Sequence, residues 1–113
     1  MFKINNINIL LGIIMNILKC YNESELTLSV EGRINSVTSK ELDEEINNEL
    51  GNFNSLILDF TDLEYISSAG LKVLIATQRK LKPDNIPFII KNSNDVIMEV
   101  FLLSGVDRVL KIE

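Results

Sequence analysis

The sequence predicts an α/β protein built on one mostly parallel sheet, and three observations carry that prediction. The chain has 113 residues, which suits a single domain. Hydrophobic residues make up 46% and charged residues 24%, the ordinary balance of a globular protein. Short apolar runs of strand length alternate with longer segments of helical periodicity, which is the pattern of βαβ units. We therefore expect a sheet of four to five strands with three to four helices, in the order β-β-α-β-α-β-α-β.

The first two strands are indicated by strict alternation and by a turn. Residues 25–31 alternate between polar and apolar side chains, so that three aliphatic residues share one face. A turn at residues 22–24 pairs this strand with a shorter one near 18–21. We expect the longer strand to end at Gly32.

The first helix is predicted from a capping box, because Thr38 is followed three residues later by Glu41. Apolar residues then recur every four positions as far as Leu50, and Gly51 supplies the stop. The sequence therefore predicts an amphipathic helix from about 38 to 50.

The second half of the chain alternates strands and helices. A helix runs from Leu71 to about 82, and another follows a cap at Ser93 or Asn94 and stops at Gly105. The predicted strands are the short apolar runs 56–58 and 88–90, which suit central parallel strands, and a closing strand at 108–112.

The first residues form an apolar extension. Residues 9–15 are an apolar run that follows a single cation, Lys3. The run is shorter than the roughly 20 residues that span a bilayer, and no small-x-small cleavage site follows it. We expect residues 1–14 to pack on the domain or mediate association, or to reflect a start codon assigned too early. The functional domain is then residues 15–113.

Charge and missing residue types exclude several functions. The net charge is −5 and the pI about 4.7, so the chain offers no basic face for nucleic acid. The small basic cluster at Arg79, Lys80 and Lys82 lies at a predicted helix end, where cations complement the helix dipole. The chain has no histidine, which excludes histidine-dependent triads and histidine metal sites. Cys20 is the only cysteine, so we expect a reducing, cytoplasmic compartment.

Two adjacent serines follow a buried-strand pattern. Ser67 and Ser68 belong to the segment 62–71 (DLEYISSAGL), where a strand ends and a helix begins. Functional side chains collect at such junctions in α/β sheets. One interpretation is structural, since serine is a preferred helix cap. The functional alternatives are a nucleophile and a target for modification.

A nucleophilic serine lacks its partners here. The Gly-x-Ser-x-Gly elbow is absent, and no histidine exists to act as its base. A pair of serine with Lys72 would require that lysine to be buried, and nothing in the sequence indicates a deep pocket. The glycine-rich motifs that bind nucleotide phosphates are also absent. We therefore expect no enzymatic activity, no cofactor and no metal.

Phosphorylation agrees better with this position. A phosphate at a helix N-terminus meets free backbone amides and the positive end of the helix dipole, so the domain itself tolerates it. A partner that covers the same surface would bury about two unpaired negative charges. An exposed serine at this junction can therefore control binding without changing the fold.

Four segments carry a resemblance to a known family: 65–71 (YISSAGL), 56–60 (LILDF), 30–34 (VEGRI) and 98–101 (MEVF). Together they resemble the STAS domain of bacterial anti-sigma factor antagonists, and the resemblance extends from about Met15 to Glu113. The resemblance implies a small βα domain that binds an anti-sigma factor, itself a serine kinase, and so releases a sigma factor. It also implies that the kinase inactivates the antagonist by phosphorylating the serine of an Asp-Ser-x-Gly-Leu pattern, and that a serine phosphatase restores it.

The resemblance places the phosphorylated serine at Ser68, with Ser67 as the alternative acceptor. Two positions depart from the family: Ser67 stands where aspartate is common, and Asn35 stands at a strand end that usually holds aspartate. Both departures leave the expected binding role intact. The residues expected to contact the partner are Asn35, Asp62, Ser67, Gly70, Leu71 and Lys72.

A second function stays open, from a different class. A STAS domain can serve as an interaction subunit of a membrane transport or lipid-transport complex without being phosphorylated. The apolar run at 9–15 is the local feature that favours it. For the main interpretation we expect an anti-sigma factor kinase and a phosphatase as partners, with neither nucleic acid nor a membrane.

Overall fold

The computed structural model describes residues 2–4 and 15–113, which form one sheet of seven strands and three helices. The helices are α1 (Thr38–Glu49), α2 (Ser68–Leu81) and α3 (Asp95–Ser104), and single 3-10 turns follow α2 at Lys82–Asp84 and α3 at Val106–Arg108. The strands are β1 (Phe2–Ile4), β2 (Met15–Asn22), β3 (Glu25–Ile34), β4 (Ser55–Asp59), β5 (Leu63–Ile66), β6 (Phe88–Lys91) and β7 (Lys111–Ile112).

The sheet has the strand order β1-β2-β3-β4-β6-β7, and β5 also pairs with β3. The pairings β1–β2 and β2–β3 are antiparallel, whereas all pairings from β3 onward are parallel. The predicted α/β class and the mostly parallel sheet are therefore confirmed. The sheet is larger than the four to five strands expected, because β1 and β5 are short strands that were not predicted. The apolar run at 9–14 lies outside the described residues.

Strand β3 runs further than its sequence pattern indicates, because it changes partner part-way. From Glu25 to Ser29 it pairs with β4, and from Gly32 to Ile34 it pairs with β5. The register shifts between Gly32 and Arg33, and Gly32 has a φ of 91°, a left-handed value that favours glycine. The predicted strand end at Gly32 is therefore wrong. The glycine makes a bulge, and the strand continues.

A single hydrophobic core joins the sheet to all three helices. The alternating residues of β3 point into it as predicted, and short apolar β4 is buried at its centre. The fully buried aliphatic and aromatic side chains include Leu26, Leu28, Ile34, Leu42, Ile46, Leu56, Leu58, Leu74 and Phe101.

Helix α1 begins at the predicted residue but not with the predicted cap. Thr38 is its first helical residue, Val37 occupies the N-cap position, and no N-cap side chain bonds to the helix. The capping box of Thr38 with Glu41 is therefore wrong. The Thr38 hydroxyl instead donates a hydrogen bond to the Arg33 carbonyl at 2.7 Å, so it ties the helix start to the end of β3.

The other two helices follow their predicted signals more closely. Helix α2 starts at Ser68, three residues before the apolar periodicity that begins at Leu71. Helix α3 is capped by Asn94, whose Oδ1 accepts a hydrogen bond from the Ile97 amide at 2.9 Å. It ends at Gly105, which has a φ of 79°. Among the candidate caps, Asn94 rather than Ser93 is confirmed.

Side chains of β2 contact carboxylates near the end of α1. The Tyr21 hydroxyl donates a hydrogen bond to Glu49 Oε1 at 2.7 Å, and Lys19 Nζ lies 3.0 Å from Glu49 Oε2. Burial of the phenol raises the pKa of Tyr21 to about 12, and the hydrogen bond to Glu49 acts in the same direction. The Tyr21 hydrogen bond, followed by that of Lys19, lowers the pKa of Glu49.

Candidate functional site

The junction between β5 and α2 holds the two serines, and Ser67 has the structural role there. Its backbone is extended, with φ −89° and ψ 173°, and its Oγ accepts a hydrogen bond from the Gly70 amide at 3.3 Å. Its own amide donates to the Ile34 carbonyl at 2.8 Å, which joins the junction to the end of β3. Ser67 is therefore the N-cap of α2, and its hydroxyl oxygen is engaged with the backbone.

Ser68 occupies the next position and has a different environment. It is the first helical residue of α2, and its side chain is exposed to solvent. The first backbone amides of a helix have no partner within the helix, and the positive end of the dipole lies at the same place. The Ser68 hydroxyl thus combines accessibility with surroundings that favour an anion.

Gly70 lets the helix start lie close to the ends of two strands. A Cβ added at this position would lie 2.7 Å from Ile34 Cγ2 and 2.7 Å from Ile66 Cγ1. Both isoleucines are buried core residues and cannot move aside freely. Gly70 is itself buried, so any part it plays in binding a partner is indirect, through the position of the Ser67–Ser68 pair.

Arg33 and Tyr65 form the exposed flank of the junction. They are register partners across β3 and β5, and the Arg33 guanidinium carbon lies 4.3 Å from the centre of the Tyr65 ring. Both side chains are exposed. Tyr65 is a residue of this flank that the sequence pattern does not predict. Strict alternation along β5 would not identify it, because Glu64 and Tyr65 are neighbours and both are exposed, whereas Leu63 and Ile66 are buried.

Asn35 shapes the loop between β3 and α1. Its Oδ1 accepts hydrogen bonds from the amides of Val37 and Thr38, each at 2.9 Å. The residue is partly buried, and its side-chain oxygen is occupied within the loop. Asn35 therefore takes the capping role that the sequence had suggested for Thr38, and it lies directly after the strand end that carries Arg33.

The remaining predicted contact residues differ in exposure and in their position relative to the junction. Lys72 is exposed on α2, whereas Leu71 is partly buried and packs against the core. Asp62 is exposed directly before β5, where it lines an open cleft together with Glu31 and Glu64. The strand β5 separates this acidic cleft from the serines at its other end.

A neighbouring carboxylate, Asp59, holds the loop that follows β4. Its Oδ1 accepts hydrogen bonds from the Thr61 hydroxyl at 2.6 Å, the Thr61 amide at 3.0 Å and Asn92 Nδ2 at 3.1 Å. Burial opposes ionisation of Asp59, but these hydrogen bonds outweigh it and lower its pKa. Its role is to order the loop that leads into β5.

The described residues contain neither a metal-binding cluster nor a membrane-spanning helix. Among residues 15–113 no cluster of three or more acidic, cysteine or histidine side chains has a geometry that could hold a metal ion. Nor does any helix there have the length and apolar character needed to span a bilayer.

Comparison with known proteins gives one consistent result. The model of the STAS domain family matches residues 17–113. The anti-sigma-F factor antagonist RsfB of Mycobacterium tuberculosis is 29% identical over 86 residues, which cover 75% of this chain and 70% of RsfB.

Solved structures share the fold. An anti-sigma factor antagonist from Mycobacterium paratuberculosis superposes with a TM-score of 0.80 at 25% identity, covering 87% of this chain and 84% of that one. Unphosphorylated SpoIIAA, also an anti-sigma factor antagonist, superposes with a TM-score of 0.74 at 16% identity and covers 86% and 87% of the two chains. The phosphorylated form of SpoIIAA from Bacillus has a TM-score of 0.68.

Proposed function

Because this chain belongs to the STAS domain family, we propose that it is an anti-sigma factor antagonist, switched off by phosphorylation of Ser68. It binds an anti-sigma factor that is also a serine kinase, and this binding releases a sigma factor. The domain acts as a binding module rather than an enzyme, and we place it in the cytoplasm. The relatives named as antagonists support the class of function, and the division of roles between the two serines supports the switch.

The observation that carries the proposal is the contrast between neighbouring hydroxyls. Ser67 Oγ caps the helix, whereas Ser68 is exposed at the first helical position. Modification of Ser68 leaves the cap intact, and modification of Ser67 would place a phosphate on the atom that accepts the Gly70 hydrogen bond. Ser68 is therefore the acceptor that the fold tolerates best.

The switch follows from electrostatics. The kinase transfers the γ-phosphoryl group of ATP to Ser68 Oγ, the hydroxyl proton leaves, and ADP is the other product. The new phosphate carries about two negative charges and is stabilised by the helix start. A partner lying against the same surface would have to bury those charges unpaired, which weakens binding. A phosphatase reverses the change by hydrolysing the phosphate ester.

The partner surface is built around the start of α2. Arg33 and Tyr65 are exposed beside it, and Asp62 and Lys72 contribute charges of opposite sign at its edges. Asn35, Ser67 and Gly70 act by holding the loop, the helix cap and the helix position. Leu71 contributes a partly buried apolar contact.

The test is phosphate transfer from a cognate anti-sigma kinase to the intact chain, followed by peptide mapping. We expect one phosphate on the wild-type protein, located at Ser68, and none on Ser68→Ala. Ser67→Asp keeps a cap acceptor and serves as the matched control, which should still be phosphorylated at Ser68. Phosphate at position 67 of the wild-type protein would contradict the assignment.

Binding to the same kinase completes the test. Ser68→Ala should bind as the wild type does, and Ser68→Asp should bind more weakly because it adds a negative charge at the interface. Equal binding by all three proteins, without phosphate transfer, would instead favour the non-phosphorylated interaction subunit of a transport complex.

A further inference from the structure

We infer that the carboxyl end of α2 and the turn after α3 form a second binding site, for a ligand that carries a phosphate group. A cleft of about 340 Å³ opens there, away from the serines. Its lining residues are Ile75, Gln78, Arg79, Lys82, Arg108 and Val109.

The cleft gathers positive charge in an acidic protein. The chain has a net charge of −5, yet three cations border this one cleft: one from the end of α2, one from the 3-10 turn that follows it and one from the turn after α3. Within residues 15–113, none of Arg79, Lys82 and Arg108 has an acidic side chain within ion-pair distance. Unpaired cations from separate elements repel one another, and an anion between them would remove that repulsion.

The helix dipole explains only part of this arrangement. In the sequence Arg79, Lys80 and Lys82 read as one cluster complementing the end of α2. The structure divides that cluster, because Lys80 turns toward α1, where its Nζ lies 2.8 Å from Asn47 Oδ1 and 3.8 Å from Asp43 Oδ1. Arg108 belongs to another element and is not drawn there by the dipole of α2.

The chemistry of the lining favours phosphate. Two guanidinium groups can each offer paired N–H donors to phosphate oxygens, and the Lys82 ammonium adds a point charge. Ile75 and the exposed Val109 give the cleft an apolar side, which would hold the carbon portion of a phosphate ester or of a lipid headgroup region. The volume lies in the range of small-ligand pockets.

The site is distant from the proposed switch. At 1.5 Å per residue, Arg79 lies about 16 Å along the helix from Ser68. Binding at the cleft can therefore be measured independently of phosphorylation at Ser68, and failure of one proposal leaves the other standing.

The test follows backbone amide signals of the intact protein by NMR during titration with inorganic pyrophosphate at constant ionic strength. We expect saturable shifts at Arg79, Lys82, Arg108 and Val109. Arg108→Gln should weaken binding by about tenfold, because it removes one charged donor pair. Lys40→Gln removes an exposed cation from α1 and is the matched control, which should bind as the wild type does.

A second arm separates the two sources of phosphate. Sedimentation with phosphatidylcholine vesicles, with and without phosphatidic acid, tests for a lipid headgroup. Binding to the acidic vesicles that is lost in Arg108→Gln but kept in Lys40→Gln assigns the site to lipid, whereas pyrophosphate binding alone assigns it to a soluble ligand. The proposal is overturned if neither probe binds at the cleft, or if both variants lose binding equally.

Discussion

The guanidinium group of Arg33 stacks on the ring of Tyr65, 4.3 Å from its centre. The two residues are cross-strand partners on β3 and β5, and Tyr65 lies two residues before the N-cap Ser67. The contact therefore orients an exposed positive charge on the flank of the proposed partner surface.

A double-mutant cycle on this pair should show a small favourable coupling. Arg33→Gln and Tyr65→Leu remove the cation and the ring in turn, and we expect a coupling of about 0.5–1 kcal/mol in urea unfolding, the usual size for an exposed cation–π contact. Strict additivity of the two substitutions would show that the stacked arrangement adds nothing to stability.

The two serines should respond differently to alanine. Ser67→Ala removes the oxygen that accepts the Gly70 hydrogen bond, and we expect a loss of about 1 kcal/mol in unfolding free energy. Ser68→Ala is the control at the neighbouring position and should leave stability unchanged within about 0.5 kcal/mol, because Ser68 is exposed. A comparable loss from both would mean that the cap is shared.

Gly70→Ala should destabilise the fold although alanine is the better helix former. The added methyl group meets Ile34 and Ile66 at 2.7 Å, and overpacking of this kind costs about 1–3 kcal/mol. Thermal unfolding measures the loss. Ala69→Gly, in the same helical turn, should cost at most about 1 kcal/mol, from helix propensity alone. A Gly70→Ala protein as stable as the wild type would disprove the close approach.

Asn35→Asp should preserve the conformation of the loop before α1 and alter phosphorylation of Ser68. A carboxylate oxygen can accept the same hydrogen bonds from the Val37 and Thr38 amides, and negative charge near the start of α1 is favourable. We expect unchanged or slightly higher stability together with an altered rate of phosphate transfer to Ser68. Asn35→Ala, which loses the acceptor, should be less stable by about 1 kcal/mol. An unchanged transfer rate in Asn35→Asp would show that a negative charge at position 35 does not affect the kinase.

The phenol of Tyr21 should titrate late. In a Tyr65→Phe background Tyr21 is the sole tyrosine, and its absorbance change should have a midpoint near pH 12, above the ordinary 10.0. Because folding raises this pKa, the protonated phenol of Tyr21 contributes to the free energy of unfolding. That contribution is complete below pH 10 and is lost as the pH rises through 12.

Glu49→Gln provides the control for this titration. Removing the carboxylate should lower the midpoint for Tyr21, but not fully to 10.0, because burial is the larger cause of the shift. A midpoint that does not move would show that the hydrogen bond to Glu49 is not formed in solution.

Local signals predicted much of this fold. Helix α3 shows why, because its cap at Asn94 and its stop at Gly105 are set by neighbouring residues and need no distant partner. The position of the serine pair at a strand-to-helix junction was likewise predictable, since a buried apolar strand and a helical periodicity meet there. The capping pattern indicates the wrong side chain for α1, because Asn35 lies outside the Thr38–Glu41 pattern and accepts its hydrogen bonds from within the preceding loop.

Features that depend on residues distant in the chain could not be predicted from local sequence patterns. The change of partner along β3 at Gly32 requires β5, which follows after an entire helix and strand. Likewise, the sequence groups Arg79 and Lys80 at the end of one helix. In the folded chain Arg108 lies beside Arg79, whereas Lys80 contacts α1 instead. Periodicity describes one element at a time, and it does not report which elements meet.

The uncharged cap of α2 affects how the charge of the helix start differs between the unmodified and phosphorylated forms. The first turn contains no acidic residue, and the oxygen that caps it belongs to the uncharged side chain of Ser67. Phosphorylation of Ser68 would therefore move this turn from no formal charge to about two negative charges. An aspartate cap would already contribute one negative charge before any signal arrived. The phosphate would thus be the first negative charge in this turn, not an addition to an existing one.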